Sequence, residues 1–157
     1  MSHQNPPRID HFKVAPDLFQ PMMEQEKLLK ESGLESSLIE LVKLRASQIN
    51  GCAFCIDMHW QDACANGERQ ARLYLLNAWR EASVYSEREI AALAWTEALT
   101  RIETSQAPDE DYEKVQAQFT VREQVALSIL ISAINSWNRI AIGFRMRHGL
   151  PKQEREV

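Results

Sequence analysis

The stretch from Val125 to Phe144 carries Val125, Leu127, Ile129, Leu130, Ile131, Ile134, Trp137, Ile140, Ile142 and Phe144, which fall on more than one face of a helix. A helix apolar nearly all round needs cover on all sides, so the fold must be built around this segment. Thr120-Val121-Arg122-Glu123 has the form of a capping box and predicts the start of the helix. Gly149-Leu150-Pro151 predicts its end at Arg147 or His148. Asn135, Asn138 and Arg139 interrupt the stretch centrally, where they would be expensive at bilayer depth, so it reads as a core helix rather than a membrane span. In a chain of 157 residues the neighbouring helices cover only part of such a surface. We therefore expect a homo-oligomer, with a central core helix in a monomer as the alternative.

The rest of the chain follows helical spacing too. Pro21 predicts the opening of an amphipathic helix from Met22 to Lys30 that Gly33 ends. Ser37-Leu38-Ile39-Glu40 spells a capping box for a second helix running to Asn50-Gly51, with Leu38, Leu41, Val42 and Ile49 as its apolar stripe. A third spans Cys52 to Asn66 and stops at Gly67, and a shorter piece with Leu73, Leu75 and Leu76 leads to Trp79. Ser86-Glu87-Arg88-Glu89 caps a helix from 87 to about 101, and Pro108 introduces a short acidic one. No alternating β-branched run bounded by turn signals interrupts the series. The expected fold class is all-α, one domain over 17–150, with a loosely attached N-terminal arm (1–16) and a C-terminal tail (151–157).

Charge removes several function classes. Lys and Arg number 18 against 22 Asp and Glu, a net −4, which offers no basic field for nucleic acid or anionic lipid. The polar, proline-rich start lacks the charged and apolar regions of a signal peptide, so the expected location is cytoplasmic. Three cysteines do not make a disulfide scaffold.

Two of those cysteines carry the chemistry. Cys52-Ala53-Phe54-Cys55-Ile56-Asp57-Met58-His59 follows the helix-breaking Asn50-Gly51. On a helix, Cys55 and His59 stand at i and i+4 on one face, within reach of each other directly or through a water. Cys52 is close enough for a disulfide to Cys55 if the first turn loosens slightly. Unpaired N–H groups and the positive end of the macrodipole stabilise thiolates in a first helical turn, and the thiolate is the form that attacks peroxides and disulfides.

Other readings of the pair are weaker. Structural zinc wants four closed ligands, and His3, His11, His148 and Cys64 are scattered. A thioredoxin-like domain requires a parallel sheet that is not legible here. Two buried cysteines and a satisfied histidine are also ordinary core residues, and Cys64, about half a turn round the helix from Cys55, reads as a core bystander. Phe54 and Trp60 read as core or as the walls of an apolar entrance. Spacing leaves open which thiol attacks, because Cys55 is nearer His59 whereas Cys52 is nearer the helix terminus and the turn expected to face solvent.

Glu40, eleven residues, Cys52, two, Cys55, three, His59: this spacing resembles the Glu-x11-Cys-x2-Cys-x3-His signature of AhpD-like alkylhydroperoxidases in the carboxymuconolactone decarboxylase superfamily. The likeness continues through Leu76-Asn77-Ala78-Trp79-Arg80-Glu81, Ser86 to Thr100 and Ile134-Asn135-Ser136-Trp137-Asn138-Arg139, roughly residues 15 to 148 in all. It implies an all-helical fold assembled as a trimer or hexamer. It also implies a peroxidatic Cys55, a resolving Cys52, His59 as activating base and Glu40 as its relay partner, although local sequence alone would make Glu40 a helix cap.

From this follows an expected reaction. Cys55 thiolate takes the distal oxygen of an organic hydroperoxide and becomes a sulfenic acid, and Cys52 condenses with it to a disulfide. An external dithiol then reduces the disulfide, a lipoyl protein in the resembled enzymes, with outer Cys52 expected to meet it. No bound cofactor or metal is expected, and no nicotinamide or phosphate-binding glycine motif occurs. The alternatives are a thiol–disulfide oxidoreductase or redox sensor, a carboxymuconolactone-type decarboxylase, and an oligomeric scaffold with structural cysteines.

Overall fold

The computed structural model describes residues 6–149, so the first five residues of the arm and the tail assigned to 151–157 lie outside it. Nine α-helices and no strand occur among the described residues: α1 His11–Val14, α2 Pro16–Lys30, α3 Ser36–Asn50, α4 Ala53–Ala65, α5 Gln70–Leu75, α6 Glu87–Thr100, α7 Ile102–Ser105, α8 Asp109–Gln118 and α9 Val121–Phe144. A single 3-10 turn, Leu76–Ala78, continues α5. The core lies between α3, α6 and α9, where Val42, Ala92, Leu127, Leu130 and Ile131 are sealed from solvent. A second cluster around Leu41, Leu44, Leu76 and Leu93 joins α3 and α6 to α4 and the 3-10 turn.

Both capping boxes expected at Ser86 and Thr120 form, each with reciprocal side-chain and backbone bonds. The one expected at Ser37 does not. Helix α3 starts a residue earlier, with Glu35 at the N-cap and no side-chain cap bond, so Ser37 sits inside the helix and Glu40 lies a full turn in. Nor does Pro21 open α2: Pro16 takes the first turn and Pro21 lies inside the helix. Its missing N–H removes one helical bond, while Phe19, stacked on Trp137, anchors the preceding turn to α9.

Helix α9 is long and apolar enough to cross a membrane by length and hydropathy, yet its central polar residues are engaged within the fold. Asn138 donates to Ser47, Asn135 donates to Thr100, and Asn50 donates to both asparagines. The helix ends at Phe144, short of the expected Arg147 or His148. Arg145 turns left-handed there, and the arm supplies the missing donors, with Arg8 N bonding Phe144 O and its guanidinium bonding Gly143 O. His11 (7% exposed) stacks on Phe144, so this part of the arm is packed down against α9. Val121, Val125 (56% exposed) and Ile129 stay uncovered on the far side of α9, beside Leu28 of α2.

A buried ion pair ties the centre together. Arg45 of α3 donates to Glu97 of α6 through Nε and Nη2 at 3.0 and 2.8 Å, and Trp79 and Arg80 donate to the same carboxylate at 2.8 Å each. Burial raises the Glu97 carboxyl, but the bonds from Trp79, Arg80 and Arg45 outweigh it and hold the group below the usual carboxylate range.

Candidate active site

The turn between α3 and α4 makes the site. Gly51 closes α3 in the left-handed region at φ 70°, which a side chain would resist. Its N–H and that of Cys52 return to Gln48 O and Ser47 O. Cys52 is thereby placed outside the helix as the N-cap of α4, where its sulfur accepts from Cys55 N at 3.3 Å. This is the loosened first turn that a short Cys-x2-Cys bridge needs: the two Cα atoms are 5.3 Å apart and a disulfide joins the sulfurs.

From that turn α4 folds back along α3, which brings His59 to Glu40. Nδ1 and Oε2 are 2.9 Å apart, with His59 4% and Glu40 6% exposed. Against an ionised Glu40, which only accepts, the imidazole would donate through Nδ1 and leave Nε2 as its acceptor. The chemistry thus outweighs local capping for Glu40, which the burial of its side chain against α4 makes unavailable to its own helix terminus.

A cavity of about 320 Å³ opens onto these groups. Cys55, His59 and Glu40 line it together, with Phe54, Met58, Ile134 and Trp137 supplying apolar wall and Phe12 reaching in from the arm. Lys43 also borders it, but is paired with Glu26, whose other oxygen accepts from Trp137 Nε1 at 3.1 Å. Such a cleft would admit a compact, mainly apolar molecule to one thiol, one imidazole and one carboxylate.

Cys52 is 1% and Cys55 2% exposed, and it is Cys55 that borders the cavity. The expected outer position of Cys52 is therefore corrected: Cys52 packs with Ala141, and Phe54 and Met146 cover the cluster. Cys64 is free and half-buried, on the second core cluster and away from the pair. Phe54 is wall, whereas Trp60 packs on that same cluster. Sequence reasoning missed Lys43, Glu26, Trp137 and Asp62. Only Asp62 had a local signal, since Cys55, His59 and Asp62 recur at i, i+4 and i+7 on one helical stripe.

Residues 16–98 match the carboxymuconolactone decarboxylase family. An uncharacterized protein of Bacillus subtilis strain 168, YdfG, is 44% identical over 140 residues, 89% of this chain and 95% of that one. Among solved structures, a protein of unknown function from Agrobacterium tumefaciens, named as a candidate AhpD antioxidant-defence protein, is 44% identical with a TM-score of 0.90. That match covers 93% of this chain and 100% of the other. A peroxidase-related protein from Ralstonia eutropha JMP134, described as an alkylhydroperoxidase AhpD core, is 17% identical with a TM-score of 0.78, over 90% and 80% of the two chains, and shares the fold. The chain belongs to the carboxymuconolactone decarboxylase family and is one of its AhpD-like members.

Proposed function

We propose that the chain is a thiol-dependent peroxidase that reduces organic hydroperoxides through Cys55 and Cys52. The observation that carries this reading is the meeting of Cys55, His59 and Glu40 in one apolar cavity, with the disulfide partner of Cys55 built into the adjoining turn. His59 Nε2 takes the Cys55 thiol proton, and Glu40 holds the resulting imidazolium through Nδ1–H. The Cys55 thiolate attacks the distal peroxide oxygen, the O–O bond breaks, and the proton on His59 goes to the departing alkoxide, giving alcohol and a sulfenic acid. Cys52 sulfur then displaces hydroxide from Cys55 as water, forming the disulfide.

A dithiol restores the pair by exchange, and two electrons pass from it to the protein. Because Cys55 borders the cavity and Cys52 does not, a slender dithiol such as a lipoyl arm would reach the bridge at Cys55. This burial also favours peroxidase over direct exchange with a large protein thiol. We expect the protein to work as a homo-oligomer, trimer or hexamer, in the cytoplasm, where reductants keep thiols cycling. Decarboxylation of a carboxylated lactone would make no use of the Cys52–Cys55 pair beside the cavity.

The test is consumption of cumene hydroperoxide by reduced, metal-free protein, with and without dihydrolipoamide, beside Cys55→Ser. Dithiol-dependent turnover that disappears in the variant is the expected result. Full multiple turnover in Cys55→Ser, or no turnover by wild type with both thiols still reduced, would overturn the proposal.

A further inference from the structure

Asp62 has no place in the reaction above, yet it borders the same cavity as Glu40 and His59. One donor atom from each of these three residues lies within 4.8 Å of the other two. Carboxylate oxygens and an imidazole nitrogen are among the ligands that zinc-class divalent ions take, and three protein ligands leave an open position. We infer that Glu40, His59 and Asp62 form a binding site for a divalent transition-metal ion, and that an ion there acts as an inhibitor of the thiol chemistry rather than as its cofactor.

The geometry needs little adjustment. Ligand bonds of about 2.0–2.1 Å place neighbouring donors of a tetrahedron about 3.3 Å apart. The 2.9 Å separation of Glu40 Oε2 and His59 Nδ1 is close to that bite once the proton between them is displaced. The Asp62 side chain is exposed and makes no hydrogen bond or ion pair among the described residues, so it is free to swing inward. Lys43, which would otherwise oppose a cation, is neutralised by Glu26; Lys30, exposed on α2, is the other lysine of the wall. The three ligands leave a fourth position toward the cavity.

Binding would replace the Nδ1 proton with the ion and turn Glu40 from hydrogen-bond acceptor to ligand. His59 could then no longer cycle a proton between Cys55 and the alkoxide. That inhibition rests on the peroxidase reading, whereas the binding itself does not.

The experiment is calorimetric titration of the full-length, disulfide-bonded protein with zinc chloride, repeated with cobalt(II) followed by its visible absorption. The disulfide removes Cys52 and Cys55 as competing ligands, and a Cys64→Ser background removes the remaining free thiol. Expected are one ion per chain, cobalt bands of a low-coordinate site, and binding at least tenfold weaker in Asp62→Asn and in Glu40→Gln. Asp57→Asn, on the same helix but against Gln61 and Gly149, should bind as wild type does. Circular dichroism checks that each variant is folded. Absence of binding by wild type, or equal binding by wild type and Asp62→Asn, would overturn the site. Zinc binding by a protein without peroxidase turnover would refute the functional reading and leave the site standing; turnover without zinc binding would do the reverse.

Discussion

Replacing Glu40 by Gln keeps the shape of the side chain and an oxygen that can accept from His59 Nδ1, and removes only the charge. The bond concerned is buried on both sides and 2.9 Å long, so salt and solvent screen it weakly. Hydrogen bonds to charged groups contribute about 1.5–3 kcal/mol against about 0.5–1.5 for neutral pairs. The difference between the middles of these ranges, about 1.3 kcal/mol, is felt when His59 becomes an imidazolium during thiol deprotonation, and corresponds to a step slower by about one order of magnitude. Stopped-flow mixing of reduced protein with cumene hydroperoxide measures this step directly, with Trp137 in the cavity wall as a fluorescent reporter of Cys55 oxidation. A single-turnover rate constant about tenfold below wild type is expected, with an unchanged fold. A rate within twofold of wild type would refute the role given to the Glu40–His59 bond. A loss of a thousandfold would refute it differently, by showing that Glu40 itself transfers the proton.

Two further outcomes follow from the packing. Glu97→Gln leaves Arg45 buried without its counter-charge and should destabilise the protein by about 3 kcal/mol in urea unfolding. The folded Glu97 carboxyl lies below its ordinary value of 4.5, so its contribution is fully present above that value and is lost as pH falls through the lower folded one. The variant should accordingly show a flatter acid limb of stability against pH, and an identical limb would contradict the account of this network. Val125→Asp, on the uncovered side of α9, should move an oligomer toward the 18.1 kDa single chain in sedimentation; an unchanged assembly would place the interface elsewhere.

Helix identity was legible because caps, glycines and apolar stripes agree at Ser86, Thr120 and Gly51, and each of these is a local signal. Misplaced boundaries trace to tertiary contacts. Phe19 packing on Trp137 carries α2 back past Pro21 to Pro16, and Arg8 caps the carbonyls that end α9 at Phe144. At the site, spacing alone put Cys55 and His59 on one face and allowed the Cys52 bridge. Glu40 illustrates the limit: its local pattern spells a cap, and only the folding back of α4 on α3 turns it to His59. Lys43 and Glu26 had no signal, being 17 residues apart and joined across two helices. The burial of Cys52 likewise depends on Ala141 and Phe54 around it, which no turn-by-turn reading contains.

The central claim is that Cys55 is the thiol that peroxide oxidises, and the most direct measurement is trapping of that oxidation in Cys52→Ser. Reduced variant is mixed with one equivalent of cumene hydroperoxide, quenched with dimedone, and mapped by peptide mass spectrometry. The account predicts one equivalent of alcohol and a dimedone adduct at Cys55, with Cys64 unlabelled. Cys55 still reduced after peroxide exposure, or an adduct at Cys64 instead, would contradict it.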